Sequence, residues 1–143
     1  MDPATKSDNV RVLVVDDDDD DALLTCDAIG DVCNQSYDVT LAHNPRDAEG
    51  ILRTQNIDIV LCDYLMGATS GIDFISKVRS DGIDVPIILL TGMGDKTTDL
   101  AAMDAGASDF MSKDNITPDN IDRAIRYAIA GAERQRLLNS VLN

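Results

Sequence analysis

Six consecutive aspartates, Asp16 to Asp21, follow the apolar run Val12 to Val15. Six like charges in a row ordinarily mean a solvated tract, yet this one stands between two segments patterned for a core. A further aspartate, Asp63, closes the apolar stretch IVLC; Thr91 and Gly92 follow PIILL; Lys113 follows DFMS. Carboxylates gathered at one place raise one another's pKa values. A divalent cation removes that penalty, and oxygen ligation by a few protein groups suits Mg2+, which keeps several waters and takes phosphate oxygens readily. A carboxylate beside such an ion can attack phosphorus and become an aspartyl phosphate. The transferred group then needs positive charge and hydrogen-bond donors on its other oxygens. Lys113, the Thr91 hydroxyl and the backbone near Gly92 could supply them. Taken singly, these residues have plainer readings: a helix-capping Asp, a solvated loop Thr or Lys. The complementary set is what points to phosphoryl chemistry.

Such a set needs a scaffold that brings distant residues to one edge, and the chain alternates strand and helix signals. VRVLVV (10–15) is a β-branched run; Ala22, Cys26, Ile29 and Cys33 then recur at helical spacing. YDVTLA (37–42) alternates as an edge strand does, and Asn44-Pro45 caps a helix carrying Ala48, Ile51 and Leu52. IDIVLC (57–62) is strand-like, and Ser70-Gly71-Ile72-Asp73 resembles a capping box for a helix burying Ile72, Phe74, Ile75 and Val78. PIILL (86–90) is apolar throughout, as a central strand covered on both faces would be. Leu100 and Met103 mark a short helix ended by Gly106. ASDFMS (107–112) is a fifth strand, and Thr117-Pro118 caps a last helix with Ile121, Ala124, Ile125, Ala128 and Ile129. Five βα units predict an α/β fold with a parallel sheet, right-handed crossovers and helices on both faces. In an open sheet of this kind, sites form at the carboxyl ends of the strands. Asp16, Asp17, Asp63, Thr91 and Lys113 all fall there.

Composition narrows the function. The chain has 143 residues, 44% hydrophobic, with a formal net charge of −14. A surface so acidic repels nucleic acid and anionic membrane, so direct binding to either is not expected. No apolar run reaches the roughly 18 residues of a membrane span, and MDPATKSDNV lacks the pattern of a signal peptide. The expected setting is the cytoplasm. Of the 26 acids, 24 are Asp, a bias suited to caps, turns and hard-cation ligation, although a salt-rich habitat would produce it too. The three cysteines, Cys26, Cys33 and Cys62, sit in apolar patterns and read as reduced, buried thiols rather than a disulfide or zinc site. His43, the lone histidine, has no nearby His or Cys partner and reads as a surface loop residue.

The segments VLVVDD, IVLCDYLM, SGIDFI, PIILLTG and GASDFMSK resemble the receiver domain of two-component response regulators, over roughly residues 10–130. The resemblance implies a flavodoxin-like (βα)5 receiver fold with strand order 2-1-3-4-5. It implies Asp63 as phosphoacceptor, Asp17 as a direct Mg2+ ligand, Asp16 as a ligand through water, and the Leu65 backbone carbonyl as another ligand. Thr91 would turn toward the phosphoryl group, Lys113 would pair with it, and Phe110 holds the family's switch-aromatic position, where an ordinary core residue is the simpler alternative. A partner histidine kinase or histidine phosphotransfer protein would donate the phosphoryl group. The chain would be a signalling switch that promotes only its own phosphorylation and dephosphorylation, not an enzyme acting on other substrates.

Two departures stand out. Gly67 replaces the usual proline after Met66, which predicts a more flexible loop. Asp114 replaces the usual cis-proline after Lys113, and a cis bond without proline costs roughly 2.5–4 kcal/mol, so a trans bond is expected. In the family, the positions of Leu65 and Met93 modulate phosphoryl lifetime. Apolar side chains there neither orient nor welcome the hydrolytic water, which predicts slow self-dephosphorylation.

A haloacid-dehalogenase-type phosphatase also uses Asp, Thr, Lys and Mg2+, but there the second acidic motif follows the lysine, whereas Asp63 precedes both Thr91 and Lys113. One domain is expected over residues 1–143, with a core over about 8–130 and a helical extension over 131–143. The extension carries Leu137, Leu138, Val141 and Leu142. It reads as a frayed tail, as a dimer arm of a stand-alone regulator, or as a link to a kinase or cyclic-nucleotide output domain.

Overall fold

The computed structural model describes residues 9–33, 35–92 and 96–142. Five strands form the main sheet: β1 (Val10–Val15), β2 (Tyr37–Ala42), β3 (Ile59–Asp63), β4 (Ile87–Thr91) and β5 (Asp109–Ser112). All neighbours pair in parallel, and across the sheet they run β2, β1, β3, β4, β5, the expected order 2-1-3-4-5. Five helices connect and cover them: α1 (Asp19–Gly30), α2 (Pro45–Thr54), α3 (Gly71–Ser80), α4 (Lys96–Ala105) and α5 (Pro118–Leu142).

The strands' two-residue period splits the core in two. Leu13, Val15, Val60, Cys62, Ile87 and Leu89 pack with Ala48 of α2, Phe74, Ile75 and Val78 of α3, and Ala102 of α4. Val12, Val14, Ile59, Leu61, Ile88 and Leu90 pack on the other face with Ala28 and Ile29 of α1 and Ile121 and Ile125 of α5. Burial on both faces explains why β3 and β4 read as continuous apolar runs. The edge strands β2 and β5 expose residues along their length, and β1 does so only at its start, at Arg11.

Local signals explain the boundaries. Asn44 caps α2 by accepting from Asp47 N–H, with Pro45 at its first position. Ser70 caps α3 by accepting from Asp73 N–H. Thr117 Oγ1 accepts from Asn120 N–H at the start of α5. Gly106, at φ +111, ends α4 in the left-handed region.

Some expectations need correction. The third strand starts at Ile59, not Ile57, and includes Asp63; the fourth is shifted by one residue to include Thr91; the fifth starts only at Asp109. Helix α1 stops at Gly30, so Cys33 lies beyond it and is exposed, while Cys26 is half-buried and only Cys62 is buried. Thr25 and Ala28 complete the buried face of α1 instead. On α4, Leu100 and Met103 face solvent and Ala102 is buried. On α3, Ile72 is half-buried.

Helix α5 runs without a break through Leu142 and leaves Leu137, Leu138 and Val141 exposed. No helix among the described residues is long and apolar enough to cross a membrane.

Candidate functional site

The strand ends carry the site, and hydrogen bonds fix each of them. Beyond β1, Asp16 N–H donates to Ala42 O of β2 at 3.0 Å. Asp63 sits opposite Leu90 in the β3–β4 register, and Tyr64 N–H continues that ladder to Leu90 O. Thr91 pairs with Ser112, one residue before Lys113.

The six aspartates divide sharply. Asp16 is 1% exposed, and its Oδ1 accepts from Asp18 N–H. Its Oδ2 is buried with no hydrogen-bond partner. Asp17 is exposed, and one carboxylate oxygen from each of Asp16, Asp17 and Asp63 lies within 4.8 Å of the others. Asp18 is the N-cap of α1, accepting from Asp20 and Asp21 N–H. Asp19, Asp20 and Asp21 fill the first turn, where the helix dipole favours acids. Asp21 has a contact that the sequence did not suggest: its Oδ2 lies 2.6 Å from Lys113 Nζ. His43 is an exposed loop residue as expected, with Nδ1 3.5 Å from Asp19 Oδ1.

Lys113 Nζ also lies 2.9 Å from Asp63 Oδ1 and 3.8 Å from Asp16 Oδ2. Burial would lower the lysine's pKa, but hydrogen bonds to Asp21 and Asp63 outweigh it and hold the pKa well above its ordinary value. Burial pushes the Asp16 carboxyl up to about 6; Asp63 adds to the shift, while Asp18 N–H and Lys113 oppose it. The buried Asp16 Oδ2, which accepts no hydrogen bond, and three converging carboxylates are what a hard divalent cation would satisfy. The donor set therefore fits Mg2+.

Asp17, Asp18, Asp21, Asp63, Tyr64, Leu65, Gly67, Gly92 and Lys113 line one open cavity. Thr91 is buried beside it but lines a different cavity, with Phe110. Phe110 is 38% exposed, so it is not an ordinary core residue. Leu65 is 60% exposed at the cavity, whereas Met93 lies outside the described residues.

The loop after β3 is a short hairpin: Leu65 pairs with Ser70 and Met66 with Thr69. Gly67 at its turn has φ +64, a value proline cannot adopt. This gives the departure from proline a structural use. Gly71 is a second contributor that the sequence did not single out, although the SGIDFI segment contained it. Its N–H donates to Tyr64 O at 2.6 Å, and a Cβ there would lie 2.4 Å from Asp63 O. Only glycine lets the start of α3 pack directly on the Asp63 backbone. The Lys113–Asp114 bond is trans as expected, and Lys113–Asn115 forms a 3-10 turn capped by Ser112.

The family model described as the response regulator receiver domain matches residues 12–126. The chain is 33% identical to the response regulator MprA of Mycolicibacterium vanbaalenii over 73% of this chain and 44% of that protein. It is 30% identical to the transcriptional regulatory protein ZraR of Escherichia coli over 86% of this chain and 27% of that one. The chain thus spans less than half the length of these curated relatives. The solved CheY-like receiver domain from Methanospirillum hungatei superposes with a TM-score of 0.75 at 19% identity, covering 88% of this chain and 98% of that one. None of these matches supports a haloacid-dehalogenase-type phosphatase.

Proposed function

The chain belongs to the response regulator receiver domain family, and on that premise we propose that Asp63 takes a phosphoryl group from a phosphohistidine on a partner kinase or phosphotransfer protein. The observation that carries this reading is the Lys113 Nζ contact with Asp63 Oδ1, 2.9 Å, beside the three converging carboxylates.

Asp17, Asp63 and the Leu65 carbonyl would hold Mg2+ directly, with Asp16 behind a water. The ion's charge offsets that of the carboxylates and of the phosphoryl oxygens when bound. An Asp63 carboxylate oxygen attacks phosphorus, the P–N bond to imidazole breaks, and its electron pair stays on the leaving imidazole. Lys113 donates to the new phosphoryl group, and Thr91 turns its hydroxyl toward it. Thr91 and Phe110 share a cavity wall, so movement of Thr91 changes the space open to the aromatic ring. That coupling biases an equilibrium between two conformations. The chain acts on no other substrate in this reading; it is a cytoplasmic signalling domain that promotes its own phosphorylation and hydrolysis.

The domain occupies residues 1–143 in this reading, with 131–143 as its C-terminal extension. That extension serves as a dimer arm or as the link to an output domain. The exposed Leu137, Leu138 and Val141 support an interacting role over a frayed tail.

The test is labelling by a small-molecule phosphodonor. The wild type should incorporate phosphate only with Mg2+, and Asp63→Asn should incorporate none. Equal labelling of the two proteins would remove Asp63 from the role.

A further inference from the structure

Lys113 does not face Asp63 alone. Among the described residues it forms three ion pairs, and the shortest, 2.6 Å, goes to Asp21, which lies outside the group of converging carboxylates; Asp63 is at 2.9 Å and Asp16 at 3.8 Å. Asp21 reaches the lysine because the first turn of α1 is fixed. Asp18 Oδ1 binds the Asp20 and Asp21 N–H groups, and the Thr25 hydroxyl donates to Asp21 O. Asp21, Asp63 and Lys113 line the same open cavity, whereas Asp20, one residue away, is exposed and does not line it.

We propose that Asp21 is a positioning residue that occupies Lys113 in the unphosphorylated protein and brakes phosphoryl capture by its charge. The inference rests on the phosphoacceptor reading and deepens it. An ammonium has three donors, and Asp21 and Asp63 already take two at short range. A phosphoryl oxygen arriving on Asp63 shares what remains or displaces Asp21. Two oxygens on one ammonium lie within about 5 Å of each other, where like charges still repel appreciably near a protein surface. Asp21 therefore both neutralises part of the lysine's charge and repels the incoming anion. An asparagine at this position would keep the shape and an acceptor while removing both effects.

The experiment titrates the full chain with beryllofluoride, a phosphoryl mimic, in Mg2+, and measures labelling rates from an anionic phosphodonor. Asp21→Asn should bind beryllofluoride about three- to tenfold more tightly and label faster by a similar factor. Asp20→Asn makes the same charge change in the same turn without the contact and should stay near wild type. Asp21→Glu restores the carboxylate and should return both readouts toward wild type, which a purely structural role would not require. Asp21→Asn matching Asp20→Asn, or binding more weakly than wild type, overturns the brake while leaving Asp63 as acceptor. Wild type that neither binds beryllofluoride nor labels with Mg2+ overturns the phosphoacceptor reading and the brake together.

Discussion

Asp16→Asn isolates the cost of burying a carboxylate for a metal site. The Asp16 carboxyl is 1% exposed, with Oδ2 accepting no hydrogen bond, and is pushed from 3.8 up to about 6. An acid whose folded pKa exceeds its unfolded one binds more protons when folded, so its contribution to stability falls as pH rises between the two values and stays low above them. The difference between 3.8 and about 6, at about 1.36 kcal/mol per unit, sets a ceiling of about 3 kcal/mol. Solvent reaching the acidic cavity screens this to about 1–2 kcal/mol. In urea unfolding with chelator present, the wild type should therefore lose about 1–2 kcal/mol more than Asp16→Asn between about pH 3.5 and about pH 7. Saturating Mg2+ at the higher pH should stabilise the wild type, because the ion binds the folded state, and should stabilise Asp16→Asn less. The same pH slope in both proteins would refute the claim that burial of Asp16 is costly. Equal stabilisation by Mg2+ would refute its part in holding the ion.

Three further outcomes follow from the geometry. Gly71→Ala should cost about 1–3 kcal/mol in urea unfolding, because its Cβ would meet Asp63 O at 2.4 Å and backbone cannot swing aside. Gly50→Ala, in α2 with nothing within 4 Å, should instead gain roughly 0.5–1 kcal/mol, and equal effects would contradict the packing described. Leu65→Gln should shorten the phosphoryl lifetime about three- to tenfold, worth about 0.7–1.4 kcal/mol of barrier, and a wild-type half-life of only seconds would sink the slow-hydrolysis reading. Light scattering should give a lower mass once residues 132–143 are removed; an unchanged mass argues against the dimer arm.

The sequence by itself determined the alternation of elements, the strand order through the family resemblance, and the strand ends that carry Asp16, Asp17, Asp63, Thr91 and Lys113. These were legible because strand period, caps and apolar runs are local signals. Asn44-Pro45, Ser70 and Gly106 marked boundaries that the structure keeps. Tertiary structure decided what depends on packing between distant segments. Leu100 and Met103 face outward while Ala102 joins the core, and the exposure of Cys33 follows from where α1 stops. Gly71 is required by a contact with Asp63 O, across a loop that had to be folded to be seen. The aspartate run shows the division most clearly. Its first two residues could be assigned from the end of a strand. The partner of Asp21, 92 residues along the chain, could not, because no local pattern records which ammonium a carboxylate will meet across a sheet edge.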